Sequence, residues 1–174
     1  DMPPSVAAPV GRTLSLLGAL PHGTDLRNTL IGLFSEQVGG LYDDRTGKLY
    51  VTEQFDPESS IGKVILAHEI CHALQDQNYD FSQYPIHVTD NDDRAYAAAS
   101  AIEGDATVLM THYMMKNLSL SWLVDLPKAL SVDQKQFNAA PPYLQYILIF
   151  PYLEGMNLIL KAEETSTEAR DALL

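Results

Sequence analysis

An α+β, helix-dominated fold is expected from three observations on this chain. Strand signals are confined mostly to the region before residue 68, helical apolar periodicity occupies most of the remainder, and no internal repeat or low-complexity array interrupts it. A length of 174 residues fits a single globular domain that can bury a sizeable core without disulfides. The expected layout is an extended arm or linker over residues 1–10 and one domain over residues 11–174.

Each element has its own local reason. The opening Asp1-Met2-Pro3-Pro4-Ser5-Val6-Ala7-Ala8-Pro9 is proline-rich and short of large apolar side chains, which favours an extended arm. Leu14, Leu16, Leu17 and Leu20 predict a short packing helix, and Asp25 stands where it can cap a second through Leu26, Leu30, Ile31, Leu33 and Phe34. Residues 39–51 place aromatic and aliphatic side chains on both sides of a polar, glycine-containing turn, a hairpin signal. Its strands either close the sheet or offer an edge to an extended peptide. Ser59 or Ser60 caps the next helix, which runs to about Gln77. A polar loop with Pro85 and His87 follows, and residues 90–93 form an acidic start to a long alanine-rich helix ending near Lys116. Residues 117–140 mix short apolar runs with Pro127, residues 143–160 are helical with a break expected at Pro151, and the charged tail 163–170 is helix-prone.

Charge and cysteine usage bound the partners. Lys and Arg number 11 against 23 Asp and Glu, and the net charge of -12 argues against nucleic acid and anionic membrane surfaces while leaving peptides and proteins. The single cysteine, Cys71, cannot form an internal disulfide. No apolar run reaches the roughly 18–20 residues needed to span a bilayer. Asp1 as first residue is expected to follow a trimmed or processed N-terminus, with any signal or anchor upstream. A further C-terminal segment completing a substrate cleft is a third option beside a whole enzyme and a binding module.

The densest chemistry lies in His68-Glu69-Ile70-Cys71-His72. Two histidines four apart lie one turn apart on one helix face, so both imidazoles reach a single metal ion while the glutamate between them reaches that metal's water. The pattern arises by accident in roughly fewer than one in a hundred chains of this length. Val64, Ile65, Leu66, Ala67, Ile70 and Leu74 predict a mostly buried segment, and buried His and Glu need partners. Glu103 follows His72 by 31 residues, in an otherwise small and apolar helix interrupted by Glu103-Gly104-Asp105. A glycine there costs about 1 kcal/mol relative to alanine and an unpaired buried carboxylate costs more, so the triplet is expected to abut something polar, such as a metal held by the neighbouring helix.

This arrangement resembles the gluzincins, zinc peptidases with H-E-x-x-H on one helix and a glutamate ligand on the next. The hairpin, Leu66 to Gln77, Glu103-Gly104-Asp105-Ala106 and Phe150-Pro151-Tyr152 are similar to a bacterial group of small gluzincin-like metallopeptidases related to the minimal gluzincins. The resemblance implies a zincin-like fold with the hairpin packed on the active-site helix. It also implies Zn2+ held by His68, His72 and Glu103, Glu69 as catalytic base, a peptide or protein substrate, and an exported bacterial protein. Many gluzincins carry an aspartate four residues after the glutamate ligand; here that position is Thr107, leaving Thr107, Asp105 or Asp76 to orient a histidine. For Asp105 the alternative is a solvated carboxylate on the far helix face. An H-E-x-C-H core also occurs in SprT-like proteases, which keeps His87 and His112 as rival third ligands; Cys71 reads as a small buried filler.

Three protein ligands would leave a fourth zinc position for water. Tyr152, Tyr146, Tyr143 and His87 are the candidates to steady the oxyanion. The competing expectation is an inactive zincin-fold module with structural or vestigial zinc that binds a protein partner.

Overall fold

The computed structural model describes residues 2–37, 39–53, 55–117 and 134–174. In chain order its elements are α1 (Pro4–Leu16), α2 (Leu26–Gln37), β1 (Gly40–Asp43), β2 (Lys48–Val51), α3 (Ser60–Tyr79), α4 (Asp92–Lys116), α5 (Lys135–Ala139), α6 (Pro142–Thr165) and α7 (Thr167–Asp171), with two short 3-10 turns between α3 and α4. Helix dominates, and the two strands pair antiparallel, so the class is α+β as expected. Most of the mixed segment around Pro127 lies outside the described residues. The contacts gather into two compact units, Asp1–Val38 with Val132–Ile149 and Gly39–Ser131 with Phe150–Leu174.

In the first unit, α1 occupies the stretch expected as an extended arm. Pro4 stands in the first turn, where its missing N–H removes no helical bond. The driving pattern is Ala7, Val10, Gly11 and Leu14, at i, i+3, i+4 and i+7 on one face. Ala7 is buried, Val10 and Leu14 pack on the core, and a Cβ on Gly11 would meet Leu26 Cβ at 3.3 Å. Burial of that stripe outweighs Pro9 inside the helix. α2 begins at Asp25 as expected, with the Asn28 N–H donating to Asp25 Oδ1 at 3.1 Å. Leu20, Leu26, Leu33, Ala140 and Leu144 make the core, whereas Leu16 and Leu17, expected to pack, are exposed. The Glu36 carboxylate accepts the first free N–H groups of α5, Gln136 at 2.9 Å and Phe137 at 2.8 Å.

The second unit is built around α3 and α4. Tyr42 opposes Leu49 and Gly40 opposes Val51 in the hairpin, whose turn is closed by Gly47 at φ +62 and by the Asp43 carboxylate accepting from Arg45 N and Thr46 Oγ1. Ser59 caps α3, its Oγ accepting from Gly62 N at 3.0 Å. Asn91 caps α4 through Arg94 N at 3.0 Å, with Asp92 and Asp93 in the first turn where carboxylates suit the positive helix end.

Two departures from expectation matter for the site. The buried face of α3 carries His68, Glu69, Cys71, His72 and Gln75, while Ile70 and Leu74, expected inside, are about half exposed. The chain therefore turns its polar stripe inward. Gly104 of α4 meets Gly155 of α6 backbone to backbone: a Cβ on Gly104 would lie 2.2 Å from Gly155 C, and one on Gly155 would lie 2.0 Å from Ser100 O. Close helix approach, rather than a polar partner, explains that glycine. α6 also continues through Pro151 without the expected break. Proline's fixed φ suits a helix, and Phe150 against Tyr96, with ring centroids 5.9 Å apart, and Gly155 against Gly104 hold the chain on either side. Among the described residues, no helix is long and apolar enough to cross a membrane.

Candidate metal centre

His68 and His72, one turn apart on α3, point their Nε2 atoms at each other across 3.0 Å. Glu103 of α4 completes a triangle, its Oε2 3.1 Å from His68 Nε2 and 3.3 Å from His72 Nε2. Both histidines are buried and Glu103 is largely enclosed. Among the described residues, these three side chains form the group able to hold a metal ion. Neither His87 nor His112 belongs to it. His87 pairs instead with Asp44 at 2.6 Å, and His112 is exposed further along α4.

The donor triangle fits a cation. Donors about 2.0–2.1 Å from a tetrahedral ion stand about 3.3–3.4 Å apart, close to the three separations found. Without a cation, two facing imidazole nitrogens and a carboxylate must share protons. Burial opposes the His72 imidazolium, but the hydrogen bond and charge of Glu103 outweigh it and raise the His72 pKa. Burial likewise pushes Glu103 up, yet the two imidazoles bring it down to about 2.

Behind His72 runs a chain of polar contacts. His72 Nδ1 lies 2.9 Å from Gln75 Oε1, and Gln75 Nε2 donates to Ile102 O at 3.1 Å and to Asp105 Oδ2 at 2.8 Å. Asp105 Oδ1 accepts from Arg170 Nε at 2.9 Å and from Arg170 Nη2. Asp105 is thus neither a solvated carboxylate nor a direct partner of a histidine; it is almost fully buried and acts through Gln75. His68 Nδ1, by contrast, is buried with no hydrogen-bond partner among the described residues.

Glu69 sits beside His68 and is buried. Its Oε2 accepts the Tyr42 backbone N–H at 2.7 Å, which ties β1 to α3 at the site. That donor, which a hairpin edge pairing with an extended peptide would offer, is taken by the glutamate. The Tyr42 hydroxyl donates to Asp76 Oδ2 at 2.7 Å, and Asp76 Oδ1 accepts from Phe81 N, so Asp76 anchors the hairpin rather than a histidine. Thr107 is also spent elsewhere: its hydroxyl donates to the Glu103 carbonyl at 2.7 Å, one turn back along α4.

Of the four candidate oxyanion donors, Tyr152 lies at the cluster. Its ring stacks on His68 with centroids 6.0 Å apart, and its hydroxyl lies within electrostatic reach of Glu103. Burial first, and then the charges of Glu103 and Glu69, raise its pKa and keep the phenol protonated. Tyr143 and Tyr146 belong to the first unit. Cys71 is a buried filler whose Sγ is 3.8 Å from Asp105 Oδ2; burial, reinforced by that carboxylate, pushes its thiol up to about 12.

Sequence reasoning passed over Gln75, Arg170 and the Tyr42 amide. Gln75 had a signal, since it continues the face of His68 and His72 at i+7 and i+3. The other two had none, one being a backbone group and the other lying 65 residues from Asp105.

Comparison with protein-family models, curated proteins and solved structures finds no match to this chain.

Proposed function

We propose that this chain is a zinc-dependent peptidase in which His68, His72 and Glu103 hold the ion and Glu69 is the general base. The observation that carries the reading is the buried triangle of two imidazole nitrogens and one carboxylate oxygen beside Glu69. Two nitrogens and one oxygen form a three-ligand set typical of hydrolytic zinc sites. Zinc bound there would supply a Lewis acid that polarises a carbonyl and acidifies water.

The remaining steps belong to the chain's own residues. With Oε2 held by the Tyr42 N–H, Glu69 has Oε1, unbonded among the described residues, to take a proton from water and to return it to the leaving amine. Tyr152, kept protonated beside Glu103, is the hydroxyl placed to steady a developing oxyanion. The Gly104 and Gly155 contact sets its position, because Tyr152 lies three residues before Gly155 on α6.

Glu69→Gln tests the reading: zinc content should stay at the wild-type level while peptide hydrolysis is lost. Equal cleavage by the variant would remove Glu69 from the mechanism. A wild-type protein that binds zinc but cleaves nothing in a broad peptide library at any pH would instead be the protein-binding module.

A further inference from the structure

We infer that Gln75 is a positioning residue that fixes the neutral imidazole of His72 as its Nδ1–H tautomer, leaving Nε2 bare toward His68 and Glu103. An amide offers two N–H donors on one side and one acceptor oxygen on the other. Both groups around Gln75 Nε2, the Ile102 carbonyl and an Asp105 carboxylate oxygen, can only accept. Turning the amide over would set its oxygen against both of them. Gln75 Oε1 therefore faces His72 Nδ1, and a 2.9 Å contact between that oxygen and the ring is a hydrogen bond only when the nitrogen carries the proton.

Arg170 locks the arrangement from behind. Its guanidinium occupies Asp105 Oδ1, so Oδ2 is the oxygen left for Gln75. Guanidinium, carboxylate, amide and imidazole thus pass one orientation inward, with the Cys71 thiol as a second, longer contact on Asp105 Oδ2. Among the described residues His68 has no such partner at Nδ1, so the two rings of the proposed site are held differently. The tautomer is a property of the metal-free chain; its consequence, a lone pair ready for a cation, rests on the proposed metal site.

The test begins with metal-free, 15N-labelled wild-type protein at alkaline pH, where the ring is neutral. Long-range proton–nitrogen correlation should show His72 protonated at Nδ1 and bare at Nε2. A proton on Nε2 in the wild-type chain overturns the inference by itself. Gln75→Met keeps the volume and deletes the acceptor. In that variant the His72 proton should spread over both nitrogens, and chelator competition should show zinc affinity weakened roughly 10–100-fold. An unchanged tautomer with unchanged affinity in Gln75→Met would also overturn it. Wild-type protein with the Nδ1–H tautomer and no zinc affinity would support this inference and sink the peptidase reading.

Discussion

Replacing Gly104 with alanine sets two effects of opposite sign against each other. In a helix interior the substitution gains about 1 kcal/mol of intrinsic propensity. The new Cβ, however, would lie 2.2, 2.4 and 2.7 Å from the carbonyl carbon, oxygen and Cα of Gly155, where ordinary contact begins at 3.4 Å. No side chain can swing aside, because the obstacle is backbone. α4 and α6 must move apart there by about 1 Å, and overpacking of this kind costs about 1–3 kcal/mol or more. Taking the upper end and subtracting the propensity gain leaves a net loss of about 2 kcal/mol, or about 4–8 °C in melting temperature for a chain of this size. Urea and thermal unfolding of Gly104→Ala measure it. Gly155→Ala should behave alike, its Cβ falling 2.0 Å from Ser100 O, and the double variant should lose less than the sum because the first substitution has already opened the crossing. A Gly104→Ala protein about 1 kcal/mol more stable than wild type, the outcome propensity alone predicts, or one merely as stable, would refute the close backbone contact.

Two further outcomes follow from the site. Tyr42→Phe removes the hydroxyl bonded to Asp76, the bond that comes first among the causes pushing the Tyr42 pKa up to about 12, and should lower unfolding stability by about 1–2 kcal/mol. Its backbone N–H still reaches Glu69, so turnover by the proposed peptidase should stay near wild type; unchanged stability would refute the anchor. The pH response has two limbs. The His72 pKa is raised above 6.5, so at the proposed site a cation must displace a proton from the ring, and zinc affinity should fall by up to about tenfold per pH unit as pH drops below the raised pKa. Metal-free stability from His72 is full below pH 6.5 and fades as pH rises through the folded-state value. Glu103, lowered from 4.5 to about 2, stabilises the metal-free chain above pH 4.5, and that contribution is lost on acidification toward about pH 2. Chelator competition and acid titration check the limbs separately, and an affinity flat across the neutral range would contradict the first.

Features set by local periodicity were legible in the sequence. The four-residue spacing of His68 and His72 becomes one face of α3 by helix geometry alone, and the hairpin and the Asp25 and Ser59 caps follow from turn and capping chemistry. Glu103 stood out because a carboxylate in a small apolar helix is costly without partners. Prolines misled twice. Pro3, Pro4 and Pro9 masked the Ala7, Val10, Gly11 and Leu14 stripe, and Pro151 signals a break only when the packing that carries α6 through it is out of sight. Gly104 is conspicuous in the sequence for a sound reason, yet its cause is hidden there, since its partner, Gly155, lies far along the chain. The contact between Asp105 and Arg170 is of the same kind: it depends on how distant segments meet, which no local pattern encodes.

The bond from the Tyr42 amide to Glu69 also limits what mutagenesis can see. An alanine scan would remove the phenol of Tyr42 and leave the donor untouched, so it would report on the Asp76 anchor and not on the group bonded to the proposed base. Exposing its contribution requires editing the main chain, by an ester in place of that peptide link or by proline at position 42, which deletes the hydrogen itself.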